Sequence, residues 1–247
     1  MHSADVTFAA LVATVSVLAG AIASVSGFGI GSLLTPLLAV QLHTKLAVAA
    51  VSIPHFAATA YRFWILRRDV DRRLLWSFGV MSAAGGLAGA LLHSRAGNPV
   101  LTIVFSGLLI FTGLMGLLGL ADRLRFHGWV AWAAGALSGF LGGLVGNQGG
   151  IRAGAMLGFD VPRQAFVATA TAVGVIVDLA RMPVYLATEG PELLGLWQLL
   201  LIALAGVLAG TVVGARLLRR IPEPIYRRLV SGLVLCLGIF MLWQAAQ

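Results

Sequence analysis

The sequence predicts an all-α integral membrane protein built as two inverted repeats of about five membrane segments each. Eight full spans are expected, together with one short or half-inserted helix, broken by glycine, in each repeat. Three observations carry this expectation. Of 247 residues, 59% are hydrophobic and only 11% charged, with a mean hydropathy of +0.95, far from the balance of a soluble domain. Apolar runs long enough to cross a hydrocarbon layer of about 30 Å recur from end to end, and the connectors between them are too short to hold a soluble domain. Finally, the second half of the chain repeats the plan of the first.

The repeat emerges when the sequence is slid along itself. An offset of 119 pairs GFGIG (27–31) with GNQGG (146–150) and TKLAVAAVSI (44–53) with RQAFVATATA (163–172), and places Arg62 on Arg181. After an insertion near ATEGPELL the offset becomes 125, aligning Gly85 and Gly89 with Gly210 and Gly214, Pro99 with Pro224, and Ser106-Gly107 with Ser231-Gly232. The chain thus reads as a single transmembrane domain, 1–247, with repeats of about 1–122 and 123–247. Repeats of this size are common in secondary transporters, where they form opposing walls of one pathway.

Each half begins with an apolar segment up to a glycine break (5–26; 127–146) and a short apolar piece after it (32–42; 151–159). Three longer segments follow (44–66, 74–93, 99–120; 163–187, 193–215, 225–245). If the short pieces did not cross, the halves would be parallel, and the basic RRDVDRR would share a membrane face with the acidic EGPE. Five crossings per half instead invert the repeats and gather most arginines on one side, as the insertion bias for basic loops requires. At about 1.5 Å of rise per residue the short pieces barely reach across, which suits a broken or half-inserted hairpin. The N-terminus places no basic segment ahead of its apolar run, so no cleavable signal is expected.

The formal charge of +8 would suggest nucleic acid in a soluble protein, but the arginines collect at helix ends and connectors, so no nucleic-acid partner is expected; the bilayer is the partner. Cys236 stands alone in an apolar run, which excludes an intrachain disulfide and a CxxC metal site. No metal or other cofactor is expected, and association as a homodimer is left open.

The glycine breaks carry the functional reading. An interrupted helix in hydrocarbon leaves N–H and C=O groups that only protein or a wet cavity can satisfy. The helix after such a break begins with free N–H groups and the positive end of its dipole, suited to an anion. The candidate substrate-binding set is therefore Ser26, Gly27, Phe28, Gly29, Gly31 and Ser32 in the first half, and Asn147, Gln148, Gly149, Gly150 and Arg152 in the second. Close helix packing is the competing reading of these glycines, but it leaves the neighbouring Asn, Gln and Arg unexplained. For Gly85, Gly89, Gly206, Gly210 and Gly214, which lie in unbroken segments, packing is the expectation.

His55, Asp178 and Arg181 are candidate proton or pathway residues. Asp178 and Arg181 lie three apart and can pair on one helical face, whereas His55 follows Pro54 in mid-segment and could carry a proton, bond an anion or be satisfied by a carbonyl. Arg62, near a segment end, is expected to snorkel to the headgroups. The hydroxyls of Ser52, Thr169 and Thr171 either line a cavity or bond their own backbone, and the tryptophans mark the interfacial belt. No nucleotide-binding signature, nucleophile elbow or HExxH occurs and no paired carboxylates stand in one span, so an enzyme is disfavoured. A passive anion channel is the main alternative to a carrier.

With this profile, GFGIGSLLTPLL (27–38) and its second copy GNQGGIRAGAML (146–157) resemble the motif of the sulfite exporter TauE/SafE family of membrane permeases. The resemblance covers essentially the whole chain. It implies a secondary transporter of small sulfur-containing anions, such as sulfite or organosulfonates, in the bacterial cytoplasmic membrane. The second copy departs from the pattern: Ala155 stands at the proline position, and Asn147, Gln148 and Arg152 add polarity.

Overall fold

The computed structural model describes residues 3–26, 29–120, 128–147, 152, 156, 161–218 and 223–246. Among these, all regular structure is helical. The first half contributes α1 (Ser3–Ser26), α2 (Ile30–Ala39), α3 (Thr44–Leu66), α4 (Arg72–Arg95) and α5 (Asn98–Leu117). The second contributes α6 (Gly128–Val145), α7 (Arg163–Gly195), α8 (Trp197–Leu218) and α9 (Glu223–Ala245).

Local chemistry sets the boundaries. The carboxylate of Asp71 caps α4 by accepting from the Leu74 N–H at 2.9 Å, satisfying one orphan donor of the first turn. A Pro in the first turn starts α5, where its missing N–H costs nothing. The α6 helix stops at Gly146, whose φ of 75° is the left-handed conformation that glycine adopts cheaply. One π turn, Leu75–Gly79, interrupts α4. The largest departure from expectation is α7. The segment read as 163–187 continues to Gly195 through Pro183 and Pro191, and α8 starts at Trp197 rather than at 193. The polar ATEGPELL reads as a connector, but Glu189 is buried and neutralised by Lys45 at 3.4 Å, so the helix carries on through it.

Seven of the described helices, α1 and α4 to α9, are long and apolar enough to cross a membrane. The α3 helix has 23 residues but carries Lys45, His55 and Arg62; from Thr44 to Ser52 all but Lys45 is buried. The ten-residue α2 is shorter and almost wholly buried. Large apolar side chains face outward around the bundle, among them all six tryptophans, and Cys236 is exposed too, as befits surfaces meeting lipid and headgroups.

The two halves interlock. α1 packs on α8 and α4 on α6, α3 on α7, and α5 on α9. The contacts come in matched pairs. A Cβ on Gly85 would stand 2.1 Å from the Ala136 carbonyl oxygen, and one on Gly210 2.0 Å from that of Val17. Gly89 lies likewise against Phe140 and Gly214 against Ala21, while Gly139 abuts Ser82 and Gly20 abuts Val207. Each pair maps onto the other by the two sequence offsets. These glycines pack against the facing helix backbone, as expected of Gly85, Gly89, Gly210 and Gly214. The direction of the helices also follows from the contacts. Lys45 meets Glu189, His55 meets Asp178 and Thr59 lies against Gly174, so α3 and α7 run antiparallel. Gly113 on Leu235 and Gly238 on Ile110 make α5 and α9 antiparallel as well.

Candidate functional site

The first break is held open by backbone conformation. Gly29, with φ 134°, precedes α2, and a Cβ there would both strain the backbone and strike Ile22 at 2.8 Å. Two residues on, a Cβ on Gly31 would fall 2.5 Å from the carbonyl oxygen of Gly146. The start of α2 therefore lies directly against the end of α6, and the two glycine breaks of the chain meet inside the protein. Ser32 and Thr35 are buried on α2, and Asn147 is buried beside Gly146. Ser26 is the last residue of α1. Gly27, Phe28, Gln148, Gly149 and Gly150 lie outside the described residues.

A charged cluster surrounds this junction. Asp178 is wholly buried on α7 and binds two partners: its Oδ1 accepts from Arg181 Nε at 2.9 Å and lies 2.8 Å from Nη2, and its Oδ2 accepts from His55 Nδ1 at 2.7 Å. His55 is therefore held by a carboxylate, and the carbonyl alternative is not realised. Arg181 also donates from Nη1 to the Gly142 carbonyl in the last turn of α6, at 2.6 Å. The expected Asp178–Arg181 pair thus forms and ties α7 to both α3 and the end of α6.

Arg62 corrects the expectation drawn for it. Rather than snorkelling outward, its guanidinium turns in and donates to the Ala23 carbonyl at 2.7 Å, in the last turn of α1. Ala23 and Gly142 are repeat equivalents, as are Arg62 and Arg181, so one hydrogen bond is built twice: an arginine from the third segment closes the end of the helix before each break. The sequence signal was the Arg62/Arg181 match itself.

Arg152 is buried, with Nη1 packed against Gly174 of α7, where a Cβ would come within 3.1 Å of it. Asp178, Arg62 and Arg181 are the charges that act on it. Arg152 and Arg181 thus share the Asp178 carboxylate, with Arg62 close enough to Arg152 to repel it. Among the described residues, five buried side-chain atoms have no hydrogen-bond partner, and three of these belong to Thr35, Asn147 and Arg152. All three atoms can donate. Buried donors without partners cost free energy, and excess buried positive charge costs more; an anion relieves both. Thr169 accepts from the Asp71 N–H, whereas Ser52 and Thr171 bond their own helices. No group of three metal-ligating side chains occurs among the described residues.

A family model, sulfite exporter TauE/SafE, matches residues 12–241. The chain belongs to this family. No curated protein and no solved structure matches it. The protein is thus a TauE/SafE family membrane transporter, and its inward-turned arginines lie around the junction of its two helix breaks.

Proposed function

We propose that this protein is a secondary transporter of small anions, sulfite or organosulfonates, in the bacterial cytoplasmic membrane, with its substrate site where the two glycine breaks meet. The observation that carries the reading is the excess of cationic donors there among the described residues: buried Arg152 and Arg181 and half-buried Arg62 against Asp178, with Asn147 and Thr35 also unpartnered. Backbone N–H groups at the start of α2 add to the field. Gly27, Gly29, Gly31, Gly149 and Gly150 would let a solute approach the main chain, with Ser26, Phe28, Ser32 and Gln148 beside them and Arg152 supplying the charge.

The halves act as inverted repeats, with eight full spans and two short ones. The antiparallel run of the equivalent helices α3 and α7, and of α5 and α9, supports this, because repeats related by an axis along the membrane normal would run parallel. His55 and Asp178 would respond to the anion through Arg181.

The test is binding and flux with full-length protein. Sulfite and short sulfonates are expected to raise the melting temperature of the purified protein, and Arg152→Ala to abolish that shift; an unchanged shift in the variant would remove Arg152 from the site. In proteoliposomes, flux should saturate and show counterflow of labelled anion. Flux that stays linear to high concentration would instead indicate a channel.

A further inference from the structure

One face of α7 carries a polar stripe. Asp178, Arg181, Tyr185 and Glu189 are spaced by three, four and four residues, so their side chains line up. The stripe spans about 16 Å at helical rise, roughly half of the hydrocarbon thickness. Each member has a partner from another element: His55 on Asp178, the last turn of α6 on Arg181 and Tyr185, and Lys45 on Glu189. Midway stands His93 of α4, with its ring 4.8 Å from that of Tyr185.

His93 is fully buried. Its Nδ1 lies 2.8 Å from the Leu144 carbonyl. A carbonyl only accepts, so Nδ1 carries the hydrogen whatever the charge of the ring. The lone pair of neutral His93 is thereby fixed on Nε2, and that atom has no hydrogen-bond partner. Any proton that the ring takes up must therefore add at Nε2.

We propose that His93 is a proton-binding site that couples anion movement to proton movement, entered from the end of the stripe that Glu189 and Lys45 occupy. This rests on the reading that an anion passes the glycine breaks. The charges that act on the ring are Glu189 and Arg181 from α7 and Lys45 from α3; Tyr185 covers its face, and α6 presents the Leu144 carbonyl. With the substrate site empty, a proton on His93 adds a positive charge between Lys45 and an arginine cluster already in excess. With an anion beside Arg181 the same proton is favoured. Anion and proton therefore bind together, and by linkage each raises the affinity of the other. The bland alternative is that His93 merely anchors the end of α6. His93→Gln separates the two, because the amide can still donate to Leu144 but takes up no proton.

The experiment uses full-length protein in proteoliposomes with labelled methanesulfonate, a probe that keeps its charge throughout the pH range. His93→Gln is expected to keep counterflow within about twofold of wild type and to lose accumulation driven by a pH gradient, the interchange needing no net proton. Wild-type accumulation in the variant would overturn the proposal. So would loss of counterflow together with accumulation, which would assign His93 to holding the helices. Should the wild type itself fail to exchange methanesulfonate, the substrate reading is at fault, and His93 is judged by nitrogen NMR of histidine-labelled protein in nanodiscs. There the Nε2 resonance should move from the unprotonated to the protonated range between about pH 8 and 5; a resonance fixed across that range sinks the proposal.

Discussion

The arginine of the first half and that of the second make the same hydrogen bond and live in different electrostatic worlds. Arg62 reaches Ala23 and Arg181 reaches Gly142, at equivalent positions. Arg181 has Asp178 three residues before it; the position three before Arg62 is Thr59. The equivalent of Arg152 is Leu33, buried on α2. Duplication thus supplies the frame, two helix ends each closed by a guanidinium. The differences supply the chemistry: an acid and a further cation in one half only. On the proposed reading, such asymmetry would let a repeated scaffold hold one solute rather than two.

The contrast can be broken hardest at the acid. Asp178→Asn leaves Arg181 and His55 without their shared carboxylate. It should destabilise the protein by about 3–5 kcal/mol, the scale for removing one partner of a buried ion pair. Thermal unfolding in detergent would show this, and adding Arg181→Met should restore much of the loss; equal melting of wild type and the single variant would mean the pair is not maintained. Next comes the contact between the halves. Gly31→Ala drives a methyl into the Gly146 carbonyl, 2.5 Å away, and overpacking of this kind costs about 1–3 kcal/mol. Flux should fall with stability, and unimpaired transport would mean the breaks need not touch.

Giving the first half the acid that it lacks sharpens the comparison. Thr59→Asp places a carboxylate three residues before Arg62 and near Arg152, across from Gly174. Neutralising part of the excess charge should weaken sulfite binding by at least about tenfold, or about 1.4 kcal/mol, with little change in melting. Calorimetry that finds the affinity intact would show that the surplus cations do not hold the anion. The smallest effect is expected where the halves agree. Gly107 and Gly232 are repeat equivalents, a methyl added at either would meet nothing within 4 Å, and both lie inside helices. Alanine at either should stabilise by up to about 1 kcal/mol without altering transport; a loss of stability at one site alone would reveal a further difference between the halves.

Much of this frame was legible in the chain because its signals are local or periodic. Gly29 and Gly146 interrupt apolar runs, Asp178 and Arg181 are three apart, and the matched glycines announce helix contacts. What escaped was set by distant partners. The extent of α7 depends on Lys45 neutralising Glu189, 144 residues away along the chain. The inward turn of Arg62 depends on a free carbonyl at Ala23, and segment position alone favours the headgroups. The partner of His55 is on another helix, so proximity in sequence to Pro54 carried no information about it. Thr35 is one of several hydroxyls near the first break in the sequence, and only packing shows that it is buried without a partner.

The glycine seams joining α1 to α8 and α4 to α6 bear on how such a machine is allowed to move. Each seam welds one helix of the first half to one of the second, main chain against main chain, so the rigid pieces of any transport cycle are chimaeras of the two repeats. A half synthesised alone would carry a stripe of bare glycine with no counterpart, and only the two fragments produced together could be expected to reassemble.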